Sequence, residues 1–200
     1  MTESPSPLSR RAVAIAGHVG DVAVARAGLA EDDPRVRATA LGSLQRMGEL
    51  DDATLSAALD DSDPIVRRRA AELAARHPDI DLLPALSDAD TSVVEMACWA
   101  CGEHESEQGR VVDALIEHAT HAADALVREA AVAALGAIGS PRAVGTIIAA
   151  TNDKPAVRRR AVLALAPFEG DDIEAAIDRA LEDRDWQVRQ AAEDLRRASR

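Results

Sequence analysis

Apolar residues recur along the chain in short helical stripes separated by acidic turns. Val36, Ala40 and Leu44 stand at offsets 0, 4 and 8, which trace one face of an α-helix. The same face returns with Val66, Ala70 and Leu73, then with Val93, Ala97 and Cys101, and again with Val127, Ala131 and Leu135. Val157, Ala161 and Leu165 repeat it, as do Val188, Ala192 and Leu195. The anchor valines are spaced by 30, 27, 34, 30 and 31 residues. Three residues before the anchor stands Asp33, Asp63, Asp90, Asp124 or Asp185, with Lys154 in the fifth copy. An Asp there is predicted to cap the helix N-terminus, and Pro34, Pro64 and Pro155 suit its first turn. Leu29, Leu59, Leu86 and Leu181, four residues before their Asp, close an earlier helix. Each unit is therefore predicted to be a helical hairpin, helix A then helix B, joined by an acidic turn.

One such hairpin cannot bury its own apolar stripe, so the units must stack. The predicted class is all-α, a right-handed α-solenoid of about six hairpins behind an N-terminal capping helix at Leu8–His18. Residues 8–200 are expected to form a single solenoid domain, and residues 1–7 a disordered tail. Directly after the anchor comes Arg37, Arg67, Arg128, Arg158 or Arg189, but Val94 in the third unit. The units resemble HEAT repeats, in particular the short, Ala-rich variety described in phycobilisome lyases, across roughly residues 8–197. That resemblance implies that the Arg lies between neighbouring B helices and bonds to the acidic turn of an adjacent repeat. It also implies an internal ladder interrupted at Val94. Such repeats specify a fold strongly and a function hardly at all.

Composition narrows the function. Apolar residues make up 47% of the 200, yet aromatics only 2%, so the buried layer is thin and built from small side chains. The net charge is −12, from 23 basic and 35 acidic residues. That balance disfavours nucleic acid, which needs a concentrated basic face, and favours solubility and basic partners. The opening Met1–Pro7 stretch lacks the apolar core of a secretory signal, and no uncharged run is long enough to span a bilayer. Two cysteines fit a reducing compartment. The expectation is a cytoplasmic protein with no membrane partner.

Candidate chemistry gathers in the third unit. Cys98 and Cys101 lie at i and i+3, as do His118 and His121, and such a set can hold zinc. The repeat register argues otherwise. Cys101 takes the place of the core Leu, and Cys98 that of Leu41, Ala71, Val132 and Val162, where free Cys acts as a small hydrophobe. HEAT-type iron hydroxylases carry several His-Glu dipeptides, and this chain has one, His104-Glu105. No Ser-His-Asp constellation or phosphate-binding Gly loop is present. No metal and no cofactor are expected, and the reading leans away from an enzyme. The Glu103–Gly109 loop is about four residues longer than its counterpart in the fifth unit.

The binding candidate comes from helical geometry. Six residues after each anchor the B helix points away from the core-facing positions. There stand Gly42, Glu72, Trp99, Ala133, Leu163 and Asp194. By the resemblance this side lines a concave surface, on which Trp99, Ala133 and Leu163 form an apolar patch flanked by Glu95, Glu129 and Arg159. A Trp there is a typical interface anchor; the alternative is that it folds over its small neighbours. The acidic turns are a second candidate surface, although capping and solubility explain most of their charge. Arg67-Arg68-Arg69 and Arg158-Arg159-Arg160 are thin for phosphate binding. The expected function is a non-catalytic scaffold or adaptor for a protein partner, basic if it meets the acidic turns, with a monomeric chain favoured. The alternative is a HEAT-type enzyme or enzyme-maturation factor, lyase-like or metal-dependent, centred on the third repeat.

Overall fold

The computed structural model describes residues 7–104 and 109–198. Residues 1–6 of the expected tail, and residues 105–108 of the lengthened loop, lie outside the described residues. Those described form thirteen α-helices with two short 3-10 turns and no strand. They fall into two compact units, Met1–Asp81 and Leu82–Arg200.

The first unit contains α1 (Arg10–Val19), α2 (Val22–Ala27, continued by a 3-10 turn), α3 (Pro34–Met47), α4 (Asp52–Leu59) and α5 (Pro64–Ala74). The B-type helices α1, α3 and α5 stack in chain order, with α2 packed on α1 and α3 and α4 packed on α5. The second unit opens with the one-turn α6 (Leu83–Leu86), then α7 (Thr91–Glu103), α8 (Gly109–His121) and α9 (Ala125–Ile138). It continues with α10 (Val144–Ala150), α11 (Pro155–Ala164), α12 (Asp171–Leu181) and α13 (Trp186–Ala198). Helices α7, α9, α11 and α13 stack as the B layer, and α6, α8 and α10 contact one another in the A layer.

The residues at offsets 0, 4 and 7 or 8 are all buried except the half-buried Leu195. This is the stacked core that the periodicity predicts. Capping follows the sequence equally closely. Asp33, Asp63, Asp90, Asp124 and Asp185 each accept a hydrogen bond from the backbone N–H two residues on, at 2.8–2.9 Å. Helices α3 and α9 end at Gly48 and Gly139, whose positive φ of 74° and 70° suits glycine at a C-cap.

The arginines after the anchors build the ladder. Arg37 forks onto both carboxylate oxygens of Asp61 (2.8 and 2.7 Å). Arg128 does the same to Asp153 (2.6 and 2.8 Å) and Arg158 to Asp183 (2.8 and 2.7 Å). In each pair an Arg of one B helix holds the turn of the following repeat. The remaining guanidinium nitrogen reaches back to its own turn. Nη1 of Arg37, Arg67, Arg128, Arg158 and Arg189 donates to the carbonyls of Glu31, Asp61, Ala122, Asp153 and Asp183 respectively. Asp153 thus receives Arg128 on its carboxylate and Arg158 on its carbonyl, and Asp183 links Arg158 to Arg189 likewise. All three carboxyls are held below the usual carboxylate range, chiefly by the hydrogen bond from their Arg. The three guanidinium pKa values are raised by the same bonds.

The interruption at Val94 is matched on its other side. In the ladder turns the accepting carboxylate precedes the next Arg by five or six residues. Six before Arg128 stands Ala122, so the rung lacks its donor and its acceptor together. Val94 is buried at 6% exposure, in keeping with an apolar substitute for the pair. Val94→Arg alone is expected to destabilise the protein, because it places an unpaired guanidinium among buried groups. Adding Ala122→Asp is expected to return about 1–2 kcal/mol as coupling in a double-mutant cycle read by urea unfolding. Purely additive effects would show that the two positions do not form a rung.

Candidate protein-binding surface

On the solvent side of α7, α9 and α11 equivalent register positions carry apolar side chains, whereas α13 carries Asp194 there. Six after the anchor stand Trp99, Ala133 and Leu163; one before it stands Leu126. Trp99 is 41% exposed, Leu126 56% and Leu163 39%, while Ala133 is half-buried. Trp99 thus keeps part of its surface in water while the larger part is covered by its surroundings. Ala133 and Leu163 share one depression of about 460 Å³, with Gly136, Ala137, Arg160 and Pro167 around it. Trp99 stands outside that lining.

The flanking charges Glu95, Glu129 and Arg159 are each half-buried. Arg160 is the residue that the register argument passed over. Its Nε is enclosed without a hydrogen-bond partner among the described residues, and the nearest carboxylate, Glu129, lies 3.7 Å away. The side chain as a whole is 40% exposed, and the outward part of a guanidinium beside an apolar hollow can serve a carboxylate or carbonyl of a docked chain. Arg160 stands three residues after its anchor, on the same stripe as the offset-6 residues. That stripe was its available signal, obscured by the neighbouring ladder Arg158.

The residues singled out for metal are placed differently. Cys98 and Cys101 are buried at 0% and 3% exposure, and burial pushes the Cys98 thiol well above its ordinary range. His118 donates from Nε2 to the Leu86 carbonyl (2.7 Å), tying α8 to the end of α6. His121 is exposed beside Glu117. Among the described residues no three His, Cys, Asp or Glu side chains gather as a metal-binding group. Of the acidic-turn residues, Asp61, Asp153 and Asp183 serve the ladder, and the capping aspartates serve their helices. None of the described helices is long and apolar enough to cross a membrane.

The fold places the chain among all-helical repeat solenoids. Residues 80–155 match the family model of HEAT repeats. A comparison with curated protein sequences gives no match. Among solved structures, the chain is similar to a designed armadillo repeat protein in complex with the peptide (KR)4. Identity is 18%, with 87% of this chain and 97% of that one covered at a TM-score of 0.63. A second designed armadillo repeat protein matches at 17% identity, covering 86% and 96%, with a TM-score of 0.62. The YibA protein of E. coli matches at 18% identity, covering 96% of this chain and 75% of that one, with a TM-score of 0.64.

Proposed function

We propose that the chain is a non-catalytic scaffold that holds a protein partner on the B-helix face of its second unit. The observation that carries this reading is the exposure of Trp99 and Leu163 at equivalent helical positions, with Leu126 seven residues before their counterpart Ala133 on α9. Trp186 is exposed by itself, whereas Trp99, Leu126 and Leu163 lie on stacked helices of one face, and grouped apolar exposure is what marks an interaction surface. Trp99 is the anchor, the hollow between Ala133 and Leu163 takes an apolar side chain, and Arg160 meets a polar group of the bound segment. Glu95, Glu129 and Arg159 form the charged rim. The designed armadillo repeat protein of similar fold is in complex with the peptide (KR)4, and peptide binding by a repeat solenoid suits this chain. We place the protein in the cytoplasm as a monomer, with repeats of the short, Ala-rich HEAT variety.

Trp99→Ala is expected to weaken partner binding by about 2 kcal/mol, roughly thirtyfold, as for a hot-spot aromatic. The measurement is capture by the tagged full-length chain from extracts of its own cell, followed by titration of the recovered partner. Trp186→Phe, 64% exposed in the parent, is the control and should capture normally. In that background the emission of Trp99 should shift on binding. Undiminished capture by Trp99→Ala, with circular dichroism unchanged, would place the interface elsewhere.

A further inference from the structure

The corresponding face of the first unit has the opposite chemistry, and its residues all come from the stacked helices α1, α3 and α5. A groove of about 430 Å³ there is lined by Arg10 and His18 of α1, Arg35 and Arg46 of α3, and Arg69 of α5. No carboxylate lines it, in a protein whose net charge is −12. Arg10, Arg35 and Arg46 are exposed and enter no ion pair among the described residues. Only Arg69 is partly neutralised, by Glu72 at 2.8 Å.

The groove is also shaped for its cations. Gly42 sits on α3 where its second-unit counterparts are Trp99, Ala133 and Leu163. A Cβ at Gly42 would lie 2.5 Å from Nη2 of Arg69. The missing side chain thus lets the Arg69 guanidinium lie across α3 into the groove. Ser43 is fixed at the groove floor by donating to the Val13 carbonyl (3.0 Å).

We infer that this groove binds a carboxylate-rich peptide segment of a partner protein. Charge complementarity supplies the attraction, and the cations' spread sets the size. Arg35 and Arg46 lie about 16 Å apart along the helix axis, and neighbouring stacked helices are about 8–10 Å apart. That spread suits an extended segment of about five residues and exceeds the reach of one compact anion. Arginine forks match carboxylates in two-bond geometry. A single-stranded nucleic acid is the poorer fit. It needs aromatic stacking platforms, and residues 1–81 contain no Phe, Trp or Tyr. The inference rests on the first unit alone, so the outcome at Trp99 leaves it standing or falling by itself.

The test is fluorescence anisotropy of labelled hexaglutamate with the full-length chain at about 50 mM salt, repeated at about 500 mM, where screening should remove most of the binding. Arg46→Glu is expected to weaken binding about tenfold. Arg76→Glu makes the same charge change at an exposed site of the same unit outside the groove, and should weaken it by no more than about twofold. Gly42→Ala, which pushes Arg69 aside, is expected to weaken it a few-fold without lowering the melting temperature, because the displaced atom is the end of a flexible side chain. Equal losses in Arg46→Glu and Arg76→Glu would overturn the inference. So would absence of hexaglutamate binding at low salt, or tighter binding of an oligothymidylate of equal charge.

Discussion

Arg128→Ala is expected to lower the free energy of unfolding by about 3 kcal/mol, against less than about 0.5 kcal/mol for Arg69→Ala. The two residues carry the same charge on equivalent B helices, yet their surroundings differ. Arg128 is mostly buried and supplies four hydrogen bonds, two to Asp153 and two to the carbonyls of Ala122 and Ala123. Removing it leaves the largely buried Asp153 carboxylate with only the Lys154 N–H and strands the part-buried Ala122 carbonyl. Arg69 is one-third exposed and meets only Glu72, three residues along its own helix. Urea midpoints of the two variants measure the difference, and small, equal effects would show that the ladder adds nothing to stability. The effect should also have a pH signature. Folding depresses the Asp153 pKa, chiefly through the bond from Arg128. The stability from this pair is therefore complete above the unfolded carboxyl value near 4, and is lost as pH falls through the lower folded value. The gap between wild type and Arg128→Ala should hold from neutral pH down to about 5 and close in more acid solution.

The fold was legible because its determinants are local and periodic. Anchor valines and capping aspartates occupy fixed offsets and do in the structure what those offsets imply, and Leu59, Leu86 and Leu181 end α4, α6 and α12 while Leu29 lies in the 3-10 turn that continues α2. Even the odd spacing of 27 has a counterpart: the A helix before Val93 is the single turn of α6, with Pro78 and Pro84 nearby. The ladder arginines stand on the same footing, but two of their properties needed coordinates. Their clasp on their own turn is a matter of side-chain reach, and the offset of the accepting carboxylate, five or six residues before the next Arg, emerged from the observed rungs and then pointed to Ala122 as the acceptor missing opposite Val94. That pairing changes the meaning of the third repeat. The missing Arg is accounted for within the structure, which leaves the exposed Trp99 as the feature of that repeat that packing does not explain. The candidate surfaces were half legible. Trp99, Ala133 and Leu163 followed from register, since one helix face suffices to define them. The cationic groove did not, because Arg10, Arg46 and Arg69 are far apart in sequence and become neighbours only when three B helices stack.

Glycine at 136 sets a second, opposite-signed test of the stack. Ala is normally the better helix former by about 1 kcal/mol, so Gly136→Ala in the last turn of α9 would, if anything, stabilise an isolated helix. In the stack it is expected to destabilise by about 2 kcal/mol, and Gly136→Val by more. A Cβ there would come within 2.5 Å of the Ala164 Cβ, 2.6 Å of its Cα and 3.0 Å of its carbonyl oxygen. Those atoms belong to the backbone of α11 or sit directly on it, so no rotamer change relieves the clash. The two helices would have to separate, and α11 carries Arg158, whose fork onto Asp183 depends on where that helix lies. Gly145 on α10 provides the comparison, because nothing lies within 4 Å of a Cβ placed there. Gly145→Ala is expected to raise stability by about 0.5 kcal/mol through the unfolded chain's lost freedom. Thermal and urea unfolding of the two Ala variants should therefore shift in opposite directions. Stabilisation by both would mean that α9 and α11 are not held at the spacing a glycine requires, and that helix propensity outweighs their packing.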